Sequence, residues 1–217
     1  MRLAVFDCDG TLVDSQANII RAMHSSFQRM GLPDPDPHCV RRVVGLSLVE
    51  AMQALLPEAD ADLHVRLAED YKHAFQRLRA DNGLDPEPLF DGIPELLDQL
   101  EAEGWLLAVA TGKSDRGLKL CLEHHGIHRR FISLQTADRH PSKPHPAMLL
   151  QCLTDAGVPA HQACIIGDTV FDVGMGVAAG VTAFGVDWGY HERQELLEAG
   201  AAAVARDAAH LKALLDG

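Results

Sequence analysis

Two aspartates near the start of the chain have the spacing of a ligand-binding pair. Asp7 and Asp9 follow the apolar run Leu3–Phe6, which is typical of a short strand buried on both faces. Because side chains alternate along a strand, this spacing aims both carboxylates the same way, and Gly10 then allows a sharp turn. A hard cation such as Mg²⁺ would relieve the repulsion between two such carboxylates. An acidic turn that caps a helix has the same local pattern, so the pair alone does not distinguish a ligand-binding site from such a turn.

Further polar residues follow other predicted strands. They comprise Thr111, Gly112 and Lys113 after the strand Leu106–Ala110, Ser142, Lys143 and Pro144 before a helix, and Gly167, Asp168 and Asp172 after the strand Ala163–Ile166. Ligands collect at the carboxyl ends of parallel strands, so we expect these groups to meet at one edge of the sheet. Carboxylates, a hydroxyl, an ammonium and loop N–H groups suit a divalent cation together with an anionic group such as phosphate.

The elements that must position these residues fall into two blocks. From Ser15 to about Asn82 the apolar spacing is helical throughout. After Asp85-Pro86-Glu87-Pro88, strands and helices alternate, which indicates a parallel sheet covered by helices on both faces. The predicted fold is α/β, a three-layer Rossmann-like parallel sheet core (residues 1–14 and 86–217) with an inserted all-helical cap domain (residues 15–85).

Composition limits the classes of partner. The chain has 217 residues, 47% of them hydrophobic, a formal net charge of −12 and a pI near 5.3. The acidic balance argues against nucleic acid and against an anionic membrane surface as partners. Met1-Arg2 leads straight into an apolar strand, which argues against a signal peptide, and no apolar run approaches the ~20 residues of a membrane span. Five cysteines without paired spacing favour reduced thiols in a cytoplasmic protein and argue against zinc.

The motifs, taken together, resemble those of the haloacid dehalogenase-like hydrolases. The matching residues are Asp7, Asp9, Gly10 and Thr11, then Thr111, then Lys143 and Pro144, and finally Gly167, Asp168 and Asp172. Within that family the chain is similar to the phosphoglycolate phosphatase-like branch with a helical cap inserted after the first strand. The resemblance covers essentially the whole chain, in order. It implies a phosphatase that acts on a small phosphorylated metabolite, as a monomer or homodimer, with Mg²⁺ as cofactor.

The resemblance also implies a role for each matching residue. Asp7 would be the nucleophile that becomes an aspartyl-phosphate, and Asp9 would protonate the leaving alcohol and later activate water. Thr111 would hydrogen-bond the transferring phosphoryl oxygens, and Lys143 would neutralise their charge and hold Asp7 ionised. The Mg²⁺ ligands would be the Asp7 carboxylate, the Asp9 backbone carbonyl and Asp168, with Asp172 in support.

The chain departs from the family pattern at two positions. Gly112 stands where many members have asparagine, so a side-chain amide is missing while the backbone N–H remains to contact substrate. Ser142 stands where a glycine often precedes the lysine. Dehalogenation is disfavoured, because members that cleave carbon–halogen bonds usually lack the acidic residue found here at Asp9. Cys8 is expected to point into the core, since alternation turns it away from the site.

Two other functions remain open from the sequence. A phosphomutase acting on a sugar phosphate, similar to β-phosphoglucomutase, would use the same aspartyl-phosphate. A non-catalytic binding protein of this fold is the third reading, although the intact set Asp7, Asp9, Lys143 and Asp168 argues against it. The substrate could be phosphoglycolate-like or a sugar phosphate.

The predicted cap supplies one further candidate. The segment Val40–Ser47 contains two arginines, and relatives with a cap use the equivalent region to contact the substrate. A guanidinium suits a carboxylate at the far end of a small anionic substrate. Arg42, or otherwise Arg41, is therefore predicted to bind the non-phosphate end. A surface arginine in a solvated ion pair is the alternative.

Overall fold

The computed structural model describes residues 2–217, and its centre is a six-stranded sheet. The strands are β1 (Arg2–Phe6), β2 (Trp105–Thr111), β3 (Phe131–Thr136), β4 (Ala163–Gly167), β5 (Thr182–Val186) and β6 (Ala203–Ala205). They lie in the order β3-β2-β1-β4-β5-β6, and every neighbouring pair is parallel. Phe6 of β1 pairs with Val109 of β2 on one side and with Ile166 of β4 on the other. The predicted α/β class is confirmed, and the three strands that end in site residues are adjacent.

Helices cover both faces of this sheet. They are α5 (Ile93–Ala102), α6 (Asp115–His124), α7 (Ala147–Ala156), α8 (Val170–Ala179), α9 (Arg193–Glu198) and α10 (Ala208–Asp216). One apolar cluster joins α5, α6 and α10 to Ala4 and Phe6 of β1. A second cluster joins α7, α8 and α9 to Leu3 and Val5 on the opposite face. Alternate residues of β1 thus enter different clusters, as a strand buried on both faces requires.

Four helices stand between β1 and α5 and form what we call the insertion. They are α1 (Gln16–Arg29), α2 (Pro37–Arg42), α3 (Leu48–Leu55) and α4 (Ala61–Ala80). Their apolar faces make a third cluster that contains no strand residue. Local chemistry marks their ends, since Asp36 before α2 and Asp60 before α4 accept hydrogen bonds from backbone N–H groups of the first turn.

Two chain crossings connect the insertion to the sheet layer, and they are tied together. Val13 bridges Leu89, and the Asn18 amide donates to the Asp85 carbonyl and to the Glu87 carboxylate, both at 2.9 Å. The Asn18 carbonyl oxygen in turn accepts from the Asp85 N–H at 2.8 Å. Asn18 therefore holds the segment that enters the insertion beside the segment that leaves it.

The structure contains two elements that the sequence did not predict. The strand β6 and the helix α9 were not expected, because Ala203–Ala205 is a three-residue alanine-rich segment and α9 has only six residues. Ser47 precedes α3, and its side chain makes no capping hydrogen bond. Within residues 2–217, no helix combines the length and the hydropathy that a membrane crossing requires.

Candidate active site

The carboxyl edge of β1 carries a carboxylate with one held oxygen and one free oxygen. Asp7 is fully buried directly after β1, and its Oδ1 accepts from the Cys8 N–H at 2.6 Å and from Lys143 Nζ at 3.0 Å. Its Oδ2 is also buried, yet no group in residues 2–217 hydrogen-bonds to it. Buried polar atoms are almost always paired, so an oxygen left free in this way points to an external partner.

Lys143 is the cation of this site. It is 1% exposed, and its Nζ lies 2.6 Å from Asp172 Oδ1 as well as 3.0 Å from Asp7 Oδ1. Burial opposes a charge on the lysine, but the ion pairs with Asp172 and Asp7 outweigh burial and raise the pKa of Lys143 above its usual value. Burial of Asp7 outweighs the attraction of Lys143 and raises the pKa of Asp7 to about 7. The charge of one buried ammonium therefore does not offset the cost of ionising the buried carboxylates around it.

Three carboxylates converge beside this lysine. Asp7, Asp168 and Asp172 each offer one oxygen, and these oxygens all lie within 4.8 Å of one another. Burial, and then the charges of Asp172 and Asp7, raise the pKa of Asp168 well above its usual range. Such crowding of hard oxygen donors is the arrangement that a divalent cation stabilises. The Asp9 carboxylate is not one of the three.

Local structure fixes the two carboxylates that follow β4. Thr169 caps α8 and forms a reciprocal box with Asp172, whose Oδ2 accepts from the Thr169 N–H and hydroxyl. Asp168 accepts from the Thr11 hydroxyl at 2.8 Å and from the Tyr190 N–H at 3.0 Å. Gly10 has a φ of +79°, and a Cβ there would stand 2.2 Å from Asp168 Oδ2. A glycine is required here both by the backbone conformation and by the space.

Asp9 lies apart from the trio and has its own partners. Its Oδ1 accepts from the Ser15 hydroxyl and from Lys113 Nζ, the latter at 2.5 Å. Lys113 is largely buried, which opposes its charge, but Asp9, together with Cys8, Cys121 and Glu87, raises the pKa of Lys113 well above the usual value. From the sequence, Lys113 was expected near the site but without a role, and no role was expected for Ser15. Their positions behind Asp9 are set by contacts across 104 and 6 residues of sequence.

Thr111 and Gly112 end β2 at the same edge. Thr111 is buried, and Gly112 lies against the connection between α2 and α3, which we call loop 43–47. A Cβ atom at position 112 would stand 2.6 Å from the Leu46 carbonyl oxygen and 2.7 Å from that of Gly45. The Ser142 hydroxyl accepts from the Ser47 N–H at 2.7 Å. Both departures from the resembled pattern, Gly112 and Ser142, thus lie in contact with the same loop.

The structure does not bring Arg42 to the position predicted for it. Its guanidinium makes a bidentate ion pair with Glu195, at 2.6 and 2.7 Å, across 153 residues of sequence. The imidazole of His191 also hydrogen-bonds the Arg42 carbonyl oxygen at 3.2 Å. Arg42 therefore joins the insertion to α9, an element that the sequence did not predict, and its partly exposed ion pair with Glu195 agrees with the surface ion pair considered as the alternative.

A cavity of about 300 Å³ opens beside Asp9, between the insertion and β2–α6. Its insertion side is mostly apolar and includes Ile19, Met23, Leu48, Tyr71 and Phe75. Its cations are Lys72, Arg79, Lys113 and Arg116. In the described chain, Lys72 pairs with Glu69 and Lys113 with Asp9, whereas Arg79 and Arg116 have no carboxylate partner. Arg42 does not line this cavity.

Comparisons with known proteins agree with this geometry. The family model described as haloacid dehalogenase-like hydrolase matches residues 4–186. The protein named "Probable phosphatase IndB" from Dickeya dadantii is 34% identical over 89% of this chain and 84% of its own length. The phosphoglycolate phosphatase of Pseudomonas savastanoi pv. phaseolicola is 32% identical over all of this chain and 79% of its own length. The crystal structure of a hydrolase from Pseudomonas syringae superposes with a TM-score of 0.87 at 26% identity, covering 100% of this chain and 98% of that one.

The contact at Gly112 yields a structural prediction. Gly112→Asn should displace loop 43–47, because a side chain cannot stand 2.6 Å from a backbone oxygen. Overpacking costs ~1–3 kcal/mol, so opening of the loop should become roughly 5- to 150-fold more frequent. Amide hydrogen exchange of the peptide that spans loop 43–47 measures this opening.

Gly83→Ala is the matched control for that substitution. A Cβ at Gly83 meets the Leu78 carbonyl oxygen only at 3.4 Å, which is an ordinary contact. Exchange of loop 43–47 should be unchanged in the control. Unchanged exchange in Gly112→Asn as well would mean that the loop is not seated on Gly112 in solution.

Proposed function

We infer the reaction from one premise: the chain belongs to the haloacid dehalogenase-like hydrolases, in their phosphoglycolate phosphatase-like branch, and is a phosphatase. We propose that it hydrolyses a small acidic phosphomonoester through an aspartyl-phosphate on Asp7, with Mg²⁺ as cofactor. The observation that carries the proposal is the free Oδ2 of Asp7, a buried carboxylate oxygen without a hydrogen-bond partner in residues 2–217.

The contacts of Asp7 suit a nucleophile. The Cys8 N–H and Lys143 hold Oδ1, which fixes the carboxylate plane and leaves Oδ2 to attack phosphorus. The new bond joins Asp7 oxygen to phosphorus as the bond to the leaving alcohol breaks. Thr111, at the end of the neighbouring strand, and Lys143 would stabilise the charge on the phosphoryl oxygens.

Asp9 is suited to proton transfer. Ser15 and Lys113 both donate to its Oδ1, and Asp9 lines the cavity in which a leaving group would lie. We propose that Asp9 donates a proton to the leaving alkoxide and then accepts a proton from the water that attacks the aspartyl-phosphate. Two donors on one oxygen orient the carboxylate for both steps.

The Mg²⁺ site would use the converging carboxylates. Asp7 and Asp168 would ligate the ion together with the Asp9 backbone carbonyl, and Asp172 would support them while it remains paired with Lys143. The ion would neutralise the charge that develops on the phosphoryl group. The helical insertion would act as a cap that excludes water from the cavity.

The cations of the cavity favour an acidic substrate over a sugar phosphate. Arg79 and Arg116 line the cavity without a carboxylate partner in the described chain, and Arg42 is already occupied by Glu195. We therefore propose that Arg79, on α4 of the insertion, binds a carboxylate at the far end of a phosphoglycolate-like substrate. This replaces the role that the sequence predicted for Arg42.

The roles of Asp7 and Asp9 are tested by a pair of substitutions. Asp7→Asn should abolish phosphate release and leave no acid-stable phosphoryl adduct on the peptide that contains residue 7. Asp9→Asn should slow turnover by ~10²- to 10⁴-fold, the usual cost of losing a positioned acid or base, and least with p-nitrophenyl phosphate, whose leaving group needs no proton. The exposed neighbour Asp14→Asn is the control and should retain activity. Retained turnover in Asp7→Asn would rule out the aspartyl-phosphate.

The raised pKa values make metal binding depend on pH in a defined direction. Without metal, folded Asp7 holds its proton up to about pH 7, whereas an unfolded aspartate loses it near pH ~3.9. The contribution of Asp7 to stability is thus fully present below about pH 4 and is lost as the pH rises through about 7. Mg²⁺ binds the ionised form, so it should raise the melting temperature more at pH 8 than at pH 5.

Asp168→Asn supplies the matching variant for this measurement. Removing one of three crowded carboxylates should reduce the rise in melting temperature that Mg²⁺ causes at pH 8. Asp91→Asn, at an exposed position, should leave this rise unchanged. Equal gains at both pH values in the unsubstituted protein would contradict a metal site on these carboxylates.

The substrate assignment is tested by the kinetics of Arg79→Gln. Its kcat/KM for phosphoglycolate should fall roughly 10- to 150-fold, corresponding to a charged hydrogen bond of ~1.5–3 kcal/mol, while that for p-nitrophenyl phosphate changes little. Arg66→Gln lies on the same helix, is exposed and does not line the cavity, so it serves as control. Equal losses on both substrates would contradict the proposed contact between Arg79 and a carboxylate. Release of isomerised sugar phosphate instead of free phosphate would indicate a phosphomutase.

A further inference from the structure

Two thiols lie together beneath the proposed active site. Cys8 stands between Asp7 and Asp9, Cys121 lies in α6, and their Sγ atoms are 4.0 Å apart. Both belong to the same buried cluster, between the sheet and α6. The reaction proposed above uses neither thiol.

The two thiols differ in access. Cys121 is among the residues that line the cavity beside Asp9, whereas Cys8 is fully buried behind it. A molecule the size of water or hydrogen peroxide that enters the cavity would therefore meet Cys121 first. The remaining cysteines are placed differently. Cys39 is exposed on α2, and the Sγ atoms of Cys152 and Cys164 contact backbone carbonyl oxygens of β2 and β1.

The surroundings of Cys121 favour a reactive thiol. The hydrogen bond with Cys8, and further the positive charge of Lys113, lower the pKa of Cys121 below its usual range although the site is buried. Thiolates rather than thiols react with peroxides, so positive charge near a thiol promotes its oxidation.

We propose that Cys8 and Cys121 form a reversible disulfide when a peroxide enters the cavity, and that this disulfide switches the enzyme off. The Cys121 thiolate attacks the peroxide, the O–O bond breaks, and a sulfenic acid and hydroxide are formed. The Cys8 thiol then attacks the sulfenic sulfur, so that an S–S bond forms and the S–O bond breaks. The hydroxyl group leaves as water with the Cys8 proton, and the proton released when Cys121 ionised neutralises the hydroxide from the first step. Two electrons pass from the two thiols to the peroxide.

The geometry requires only a short movement. A disulfide has an S–S distance of about 2.05 Å, so the two Sγ atoms must approach by about 2 Å from their present separation. The Cys8 side chain would move toward α6 and strain the peptide whose N–H holds Asp7 Oδ1. Inactivation rests on the proposed roles of Asp7 and Asp9, whereas disulfide formation does not.

The experiment measures the bond and the activity separately. The Cys39→Ser protein is treated with increasing hydrogen peroxide, then alkylated, digested and analysed by mass spectrometry. The expected result is a loss of two hydrogens, a linked peptide pair containing Cys8 and Cys121, and a parallel loss of phosphatase activity that dithiothreitol restores. The Cys39→Ser background removes the exposed thiol as a source of bonds between molecules.

Variants at both thiols keep the proposal testable. Cys39→Ser/Cys121→Ser should form no linked pair. At peroxide concentrations that inactivate Cys39→Ser, this variant should retain the activity that it has without peroxide. Cys39→Ser/Cys8→Ala should stop at the sulfenic acid of Cys121, which a dimedone adduct detects. Cys39→Ser/Cys152→Ala is the control and should behave like Cys39→Ser.

The outcomes separate this inference from the proposed reaction. A linked Cys8–Cys121 pair in a protein that retains full activity would overturn the switch. Absence of the pair at peroxide concentrations that inactivate the enzyme would overturn the disulfide itself. A protein that forms the pair but has no phosphatase activity even when reduced would leave the thiol pair in place and contradict the proposed function instead.

Discussion

The structure depends on a buried charge imbalance at the end of β1. One ammonium, Lys143, lies between Asp7 and Asp172, and Asp168 adds a third carboxylate close by. Burial makes every unpaired charge costly, which is why the pKa of Asp7 rises to about 7 despite its contact with the lysine. Further positive charge at this position would favour the ionised forms of Asp7 and Asp168. The site is therefore suited to a cation. The sheet order, the box at the start of α8 and the glycine at position 10 hold the three carboxylates in place.

The sequence was sufficient to predict the parts of this arrangement that follow from chain-local rules. The strand β1 was recognisable because its apolar run ends in two acidic residues, and the core helices because glycine or proline marks their ends. The meeting of the polar residues at one edge follows from the parallel strands, whereas the position of β1 between β2 and β4 was not predicted. The two short elements, β6 and α9, could not be predicted in this way. Three residues rich in alanine carry no period, and six residues give less than two helical turns.

The contacts that escaped prediction join residues that are distant in the sequence. Arg42 looked available because nothing near it in the chain is a carboxylate partner, and Glu195 comes 153 residues later. Lys113 pairs with Asp9 across 104 residues, and Cys8 meets Cys121 across 113. Each pairing depends on how the insertion or α6 docks against the carboxyl edge. A periodic pattern predicts which face of a helix is buried. It does not predict which charged side chain lies on the surface against which the helix packs.

The two departures from the family pattern have a common explanation in that docking. Gly112 leaves room for the carbonyl groups of loop 43–47, and Ser142 supplies an acceptor for the N–H at the end of the same loop. The substitution of asparagine by glycine removes a donor from the edge of the sheet, and the carbonyl oxygens that take its space cannot replace a donor. In the proposed reaction, hydrogen bonds to the phosphoryl oxygens would then come from Thr111, Lys143 and backbone N–H groups. Under the same proposal, discrimination between substrates would fall to the insertion, whose loop 43–47 and α4 line the cavity together with Lys113.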